Sequence, residues 1–320
     1  MSDQNATPEE SLLEPPTSTL GLHQVYPDSS VDTDDATIEI DRRSIVAVHG
    51  LGGDSFSTFT KNDCLWIRDL LPSVSGFENK RIMTFGYKAS VFLHPFAEQT
   101  RGRTFTFAED LLNELVDNRS SPKERERPIV FLGHSLGGIV IKSALRHAHE
   151  RYSVFGDILD STNAIIFFGT PHQGSDLAKW ASILNGLGKA FRVRNSAVVE
   201  ELKRWSNPLN ELTTTFSELA ERFQITTYFE TKPTNGILVV PEGSARMGQK
   251  HERISGLEAD HRGVCKFSAD ESNWNRVSAR LMAIARDIRQ RVDLAFPTVP
   301  AGLVNNQEKH TRDQPEGLFR

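Results

Sequence analysis

A serine with glycines two positions away on each side is the strongest chemical signal in this sequence. Residues 133–137 read Gly-His-Ser-Leu-Gly, and Ser135 stands between an apolar run and a second run with helical spacing. A serine on a sharp turn from strand to helix needs small neighbours at these positions, because bulky side chains would collide with the strand and the helix. The pattern therefore predicts a nucleophile elbow, with Ser135 as the nucleophile.

A second glycine-rich segment is expected to stabilise the negative charge that such a nucleophile creates. Residues 49–53 read His-Gly-Leu-Gly-Gly and follow a continuous apolar run at 44–48. In enzymes with a nucleophile elbow, the oxyanion is bound by a backbone N–H of such a loop and by the N–H of the residue after the serine. We expect Leu51 and Leu136 to donate these N–H groups, and His49 to shape the loop rather than to act as a base.

The serine also needs a base, because its hydroxyl is a poor nucleophile near neutral pH. In elbow enzymes the chain order is serine, then carboxylate, then histidine. His261 lies in an Asp-His-Arg-Gly turn before the last segment with helical spacing, where the base is expected, and His251 is the alternative. His172 precedes the strand-end carboxylates and so does not fit the order, and His310 lies in the predicted C-terminal tail.

The carboxylate that orients the base is best assigned to Glu230. This residue ends an apolar segment two strands after the elbow strand, where elbow enzymes carry the acid. Glu242 and Asp260 are the alternatives, although Asp260 adjoins His261 and adjacent side chains usually point apart. Three residues beside these groups are predicted to contact the substrate: Gly50, His134 and His172.

The elements that position these residues alternate between strands and helices. Apolar runs typical of strands occupy residues 37–40, 44–48, 81–87, 129–132, 163–169, 224–229 and 236–240. Segments with helical spacing separate many of them, which predicts an α/β protein with a mostly parallel sheet and helices on both faces. In such sheets the functional site lies at the carboxyl ends of the strands, where all the candidate residues are found.

The chain is predicted to form one large domain with two tails. Residues 1–35 are polar and lack periodicity, which indicates a disordered N-terminal tail. Residues 36–292 form the predicted α/β domain, and residues 293–320 a disordered tail or linker. Residues 176–222 are amphipathic and far longer than a crossover helix needs, so we interpret them as a helical cap over the site.

Composition excludes several classes of protein. The 320 residues have a formal net charge of −5, which is not the signature of a nucleic-acid-binding protein. Two cysteines without CxxC spacing argue against a disulfide scaffold or a zinc site and favour a reducing compartment. No run approaches the roughly 20 apolar residues that span a bilayer. We expect no metal or cofactor and a cytoplasmic location, with peripheral membrane contact left open.

Several motifs together resemble a known family. They are VHGLGG, GHSLGGIVIKSAL, FFGTPHQGS, YFETKP, SARMG and ADHRGVCKF. The combination is similar to the serine-active-site-containing and glycosylphosphatidylinositol-deacylase-like branch of the α/β-hydrolases, most of all to fungal esterase domains that precede nucleotide-binding and repeat domains. The resemblance covers residues 36–292.

What the resemblance implies is an α/β-hydrolase fold and lipase or esterase activity, with Ser135 as nucleophile, Glu230 as acid and His261 as base. Members at mitochondrial and endoplasmic-reticulum membranes make those membranes the alternative location. The chain departs from the multidomain members in one respect, since no GxxxxGK[ST] loop follows the predicted hydrolase.

The first functional hypothesis is hydrolysis of carboxylic esters, lipid acyl esters above all, through a Ser-His-Glu triad and an acyl-enzyme. The small-molecule or lipid ester is then the expected partner. Two alternatives are a hydrolase-like signalling or interaction module with little activity, and a thioesterase or acyltransferase that uses the same triad.

Overall fold

A seven-stranded sheet organises the computed structural model, which describes residues 18–27, 43–78, 80–89, 100–172, 177–190 and 206–295. The strands are β1 (Gly21–Tyr26), β2 (Ser44–Val48), β3 (Thr60–Lys61), β4 (Cys64–Leu65), β5 (Arg81–Gly86), β6 (Ile129–His134), β7 (Thr162–Phe168), β8 (Gln224–Glu230) and β9 (Arg253–Leu257). The large sheet has the order β1-β5-β2-β6-β7-β8-β9, and β3 pairs with β4 separately. All neighbours in the large sheet are parallel except β1 and β5, so the predicted mostly parallel sheet is confirmed.

Helices connect the strands and cover both faces of the sheet. They are α1 (Trp66–Asp69), α2 (Thr100–Asp117), α3 (Pro122–Arg125), α4 (Leu136–Glu150), α5 (Tyr152–Ser161), α6 (Leu177–Ala190), α7 (Ser206–Ala220), α8 (Glu242–Ala245) and α9 (Ser272–Ala295). Because the strands are parallel, these crossovers place the carboxyl ends of β2 and β5 to β9 at one edge of the sheet.

Alternating side chains of the central strands enter two separate hydrophobic cores. Phe131 of β6 packs on one face with α2, α4, α5, α6 and α7, whereas its neighbour Leu132 packs on the other face with α1 and α9. Strands covered on both faces must be apolar at every position, which explains why β2 and β6 read as continuous apolar runs.

The N-terminal tail prediction is wrong for residues 21–26, which form β1. This strand pairs antiparallel with β5, and the carboxylate of Glu114 in α2 accepts the N–H of Leu22. The segment has weak apolar patterning, so its order comes from pairing with a strand more than fifty residues away, and local sequence carries little sign of it. The strand predicted at residues 37–40 lies outside the described residues.

The strand predicted at residues 236–240 is also wrong. Asn235 and Gly236 have φ angles of 50° and 81°, which makes a tight turn with a single bridge between Thr234 and Ile237. The last strand of the sheet is instead β9, beside β8. The apolar run at 236–240 lies at the end of the sheet, where the N–H of Val240 donates to the carboxylate of Glu230.

Helices α6 and α7 occupy the described part of the segment predicted as a cap. Ile183 of α6 and Leu212 and Phe216 of α7 are buried in the same core as α4. Both helices lie in the connection between β7 and β8, on the face that α2 and α4 also cover. Their role as a cap over the site stays a prediction.

Candidate active site

Ser135 lies at the junction of β6 and α4 in a backbone conformation that few residues adopt. Its φ is 52° and its ψ is −119°, and its N–H donates to the carbonyl of Phe168 at the end of β7. A Cβ on Gly133 would lie 2.7 Å from the Cα of Gly138, and one on Gly137 would lie 2.2 Å from the carbonyl oxygen of Val48. The two glycines therefore allow β6, α4 and β2 to meet around the serine.

The side chain of Ser135 lies against a histidine and a carboxylate. The Oγ atom is 3.0 Å from Nε2 of His261, whose Nδ1 is 3.1 Å from Oε2 of Glu230. Ser135 and His261 are 0% exposed and Glu230 is 1% exposed. The carboxylate accepts from Nδ1–H, which leaves Nε2 unprotonated and able to accept the proton of the serine hydroxyl. This geometry is the one that activates a serine nucleophile.

Neighbouring groups fix the histidine and the carboxylate. The N–H of His261 donates to Oγ1 of Thr234 at 2.9 Å, and its carbonyl accepts from Nε2 of His134 at 2.9 Å. The second oxygen of Glu230 accepts the N–H of Val240 at 2.6 Å. Burial lowers the pKa of His134 to about 3, so this side chain is a neutral hydrogen-bond donor at physiological pH.

The alternative acids and bases have other partners. Asp260 accepts the N–H of Gly263 at 2.8 Å within its own turn, and Glu242 forms an ion pair with Arg246 at 2.6 Å. The exposed His251 lies 3.0 Å from the carbonyl of Ala220 in α7, and His310 lies outside the described residues. Of the acids and bases weighed from the sequence, Glu230 and His261 are the pair that lies at Ser135.

The turn at residues 49–53 packs directly on the elbow. A Cβ on Gly50 would lie 2.7 Å from Cβ of Ser135 and 2.9 Å from the carbonyl oxygen of His134. Leu51 and Leu136 are both buried. Leu136 is the first residue of α4, so its N–H has no acceptor within the helix and lies at the helix end that favours negative charge. The turn and the helix together offer backbone donors beside Ser135.

His49 holds this turn to the end of β5. One ring nitrogen lies 2.9 Å from the carbonyl oxygen of Gly50, and the other accepts the N–H of Tyr87 at 3.1 Å. The hydroxyl of Tyr87 donates to the carbonyl of His49, and the two rings stack with centroids 4.4 Å apart. Burial lowers the pKa of His49. These contacts are those of a neutral, loop-shaping residue.

His172 lies on the other side of the elbow, fully buried. Its Nδ1 is 3.2 Å from Nζ of Lys142 in α4, and its N–H donates to the carbonyl of Ser244. The described hydrogen bonds of His172 and His134 are therefore with the protein itself. A role for either side chain in contacting substrate, and the same role for Gly50, stays a prediction.

Two residues that the sequence analysis did not single out touch the site. Thr234 holds the backbone of His261, and a Cβ on Gly169 would lie 3.1 Å from Nδ1 of His261 and 3.3 Å from Oε2 of Glu230. The glycine directly after an apolar strand was a usable signal for Gly169. No sequence signal pointed to Thr234, because only the folded chain brings this residue to His261.

The described residues contain neither a metal-binding cluster nor a membrane-spanning helix. In these ranges no group of three His, Cys, Asp or Glu side chains is arranged to bind a metal ion. Within the same ranges no helix combines the length and the apolar character that a bilayer span requires. Cys64 and Cys265 both carry free thiols.

The parallel sheet and the serine on its strand-to-helix turn define an α/β-hydrolase. The solved structure of Bacillus licheniformis lipase BlEst2 in mature form supports this fold with a TM-score of 0.52 and 19% identity, over 82% of this chain and 97% of that one. The chain belongs to the family described as "Putative serine esterase (DUF676)", whose model matches residues 41–216.

Curated relatives match most of the chain. It is 28% identical over 249 residues to Protein SERAC1 from Bos taurus and 26% identical over 253 residues to Protein SERAC1 from Danio rerio. Each match covers 70% of this chain and 36% of the relative. The chain therefore corresponds to about a third of the length of these relatives.

Proposed function

We propose that this protein hydrolyses carboxylic esters, with Ser135 as nucleophile, His261 as general base and Glu230 as the acid that orients the base. The observation that carries the proposal is the pair of hydrogen-bond distances, 3.0 Å from Ser135 to His261 and 3.1 Å from His261 to Glu230. Membership of a serine esterase family supports the reaction class.

The proposed reaction has two steps. Nε2 of His261 takes the proton of Ser135 as Oγ attacks the ester carbonyl, and the resulting imidazolium protonates the departing alkoxide. Water then attacks the acyl-enzyme with the same histidine as base. Glu230 stabilises the imidazolium in both steps, and its second oxygen stays bonded to the N–H of Val240, which keeps the carboxylate in place.

The oxyanion of each tetrahedral intermediate is proposed to lie between the N–H groups of Leu51 and Leu136. The contact of Gly50 with Ser135 supports this placement, since it brings the 49–53 turn within one residue of the nucleophile. Losing one such donor costs roughly 10²–10³ in kcat in enzymes of this kind.

Lipid acyl esters are the substrate class within this proposal. The resemblance to lipases favours an apolar acyl chain. The same proposal includes a cap at residues 176–222 and peripheral contact with a membrane. It also includes a closer kinship with fungal or glycosylphosphatidylinositol-deacylase enzymes.

The test is hydrolysis of p-nitrophenyl esters of increasing acyl length by the purified chain. We expect turnover that rises from acetate to longer acyl groups and that falls by at least about 10³-fold in Ser135→Ala, since the members of a triad act as a unit. Turnover that survives in Ser135→Ala would remove the serine from the mechanism. Turnover that falls as the acyl chain lengthens would reject lipid esters as the substrate class but would leave the proposed ester hydrolysis in place.

The second candidate is an interaction module with little activity. The observation that favours it is the burial of Ser135, His261 and Glu230, which leaves the nucleophile no exposed surface. Labelling with a fluorophosphonate separates the two candidates, because only an accessible and activated serine reacts. Labelling of wild type but not of Ser135→Ala supports the esterase, and absence of labelling on folded protein supports the module.

A further inference from the structure

The turn that follows β7, residues 169–172, lies along one face of the elbow helix. Thr170 contacts Gly138, since a Cβ on that glycine would lie 2.2 Å from Oγ1 of the threonine. Two residues later, Nδ1 of His172 is 3.2 Å from Nζ of Lys142. Positions 138 and 142 of α4 are one helical turn apart and so share a face. The turn is therefore held at two successive levels of the helix that begins at Ser135.

The first residue of the same turn touches the histidine and carboxylate of the site. Gly169 has a φ of 54°, and its N–H donates to the carbonyl of Tyr228 at 2.7 Å. A Cβ there would lie 3.1 Å from Nδ1 of His261 and 3.3 Å from Oε2 of Glu230, the two atoms that share a proton. A displacement of this turn would therefore be transmitted to that hydrogen bond.

The contact between Lys142 and His172 is costly to bury. Lys142 is 1% exposed and His172 is 0% exposed, and burial lowers the pKa of the amine to about 7. An apolar side chain at position 142 would avoid the cost of removing an amine from water. The nitrogen atoms meet at hydrogen-bond distance, which gives the lysine a specific partner on the 169–172 turn.

We propose that Lys142 is a positioning residue, which through His172 holds the 169–172 turn against the His261–Glu230 hydrogen bond. The inference rests on the proposed esterase function. Lys142 itself makes no contact with the reacting atoms in this scheme. It acts by fixing the turn whose glycine packs on the base and the acid.

The first test compares an alanine substitution at Gly169 with one at Gly236. Gly169 and Gly236 both have positive φ, but a Cβ on Gly236 would meet nothing within 4 Å. Both substitutions place an alanine at a positive φ, 54° at position 169 and 81° at position 236, and only the first presses on the His261–Glu230 pair. We expect Gly169→Ala to lower kcat by about tenfold or more at nearly unchanged KM, because small misplacements of catalytic groups are costly.

The pH profile of kcat/KM is the readout that a loss of stability alone would not move. A carboxylate displaced from His261 stabilises the imidazolium less, so the acidic limb of the profile moves to lower pH. We expect this shift in Gly169→Ala and in Lys142→Met, and an unshifted limb in Gly236→Ala.

The double variant Lys142→Met/His172→Phe tests whether the two side chains act together. If the lysine acts through the histidine, the double variant loses no more kcat than Lys142→Met does. The proton NMR signal of the His261–Glu230 hydrogen bond reports the same geometry without turnover. The chemical shift of this proton is expected to change in Lys142→Met and in Gly169→Ala, and to stay the same in Gly236→Ala.

Two results overturn the inference: a Gly169→Ala enzyme indistinguishable from Gly236→Ala, or a folded Lys142→Met with wild-type kcat and pH profile. If Lys142→Met fails to fold, His172→Phe removes the other side of the same contact, and wild-type kcat and pH profile in that variant would overturn the inference as well. Retained activity in Ser135→Ala would instead reject the proposed function, and the NMR comparison would still decide whether Lys142 positions the pair.

Discussion

Two turns flank the elbow, and they are built differently. The 49–53 turn follows β2 and the 169–172 turn follows β7, the strands on either side of β6 in the sheet. Each turn places a glycine against the site: Gly50 against Ser135, and Gly169 against His261 and Glu230. A buried histidine anchors each turn, and burial lowers the pKa of both His49 and His172.

The difference lies in what the anchoring histidine binds. His49 bonds backbone groups, the carbonyl of Gly50 and the N–H of Tyr87, so the first turn is tied to the sheet itself. His172 meets the end of a long side chain, Lys142, and so ties the second turn to a helix. The second turn also has backbone ties, from the N–H groups of Gly169 and His172 to the carbonyls of Tyr228 and Ser244. Its side-chain anchor differs, because a lysine has four rotatable bonds and can adjust where the backbone partners of His49 cannot. The first turn is therefore expected to tolerate change less well than the second.

The largest effect in this comparison is expected from Gly50→Ala. The new Cβ would meet Cβ of Ser135 at 2.7 Å and the carbonyl oxygen of His134 at 2.9 Å, and neither can rotate away. The proposed oxyanion donor at Leu51 would move with the turn, so we expect kcat to fall by about 10²–10³-fold, more than in Gly169→Ala. Steady-state kinetics on a p-nitrophenyl ester measures the difference.

The control for Gly50→Ala is Gly243→Ala, since a Cβ on Gly243 would meet nothing within 4 Å. Its kcat is expected to match that of the wild type. Losses of equal size in Gly50→Ala and Gly169→Ala would show that the two turns do not differ in the way proposed.

A smaller effect is expected from His49→Phe, which keeps an aromatic ring to stack on Tyr87. The variant removes the acceptor of the Tyr87 N–H, a buried backbone group. Losing the partner of a buried donor costs about 1–3 kcal/mol, and we expect the free energy of unfolding to fall by that amount. Chemical denaturation measures it.

His251→Phe is the matched control, because His251 is exposed and its ring bonds one backbone carbonyl of α7. We expect its free energy of unfolding to change by less than about 0.5 kcal/mol, as for most surface substitutions. Equal losses of unfolding free energy in His49→Phe and His251→Phe would mean that the hydrogen bond between His49 and the end of β5 contributes nothing specific to stability.

The last prediction concerns the pH dependence of stability at Lys142 and does not involve turnover. Burial lowers the pKa of this amine from 10.5 to about 7. Between these pH values the unfolded chain binds a proton that the folded chain does not, so this group makes stability rise with pH. Lys142→Met removes this contribution to the pH dependence of the free energy of unfolding. The stability of wild type relative to the variant should therefore increase from pH 7 towards pH 10.

Denaturation of both proteins at several pH values measures this difference, with Lys232→Met as the control for removal of an exposed amine. A relative stability of wild type and Lys142→Met that is flat between pH 7 and pH 10 would contradict the burial of an uncharged amine. It would also weaken the contrast between the two turns, because a charged lysine would tie the second turn more tightly.

The elbow and the strands around it could be predicted from the sequence, because their determinants are local. The glycines of residues 133–137 and the apolar runs of β2, β6, β7 and β8 mark a parallel sheet with a serine at a strand end. The same order of strands placed Glu230 and His261 at the site edge. Membership of a serine esterase family and the α/β-hydrolase fold agree with this reading.

The tertiary structure alone decided the features that depend on distant partners. Strand β1 is ordered by pairing with β5. The run at 236–240 begins in the tight turn of Thr234 and Ile237 and ends with its N–H bonded to Glu230. Thr234 reaches His261, and Lys142 reaches His172, through contacts between residues 27 and 30 positions apart. A sequence records periodicity and turn chemistry within a few residues, whereas these contacts exist only once the sheet has brought its strand ends together.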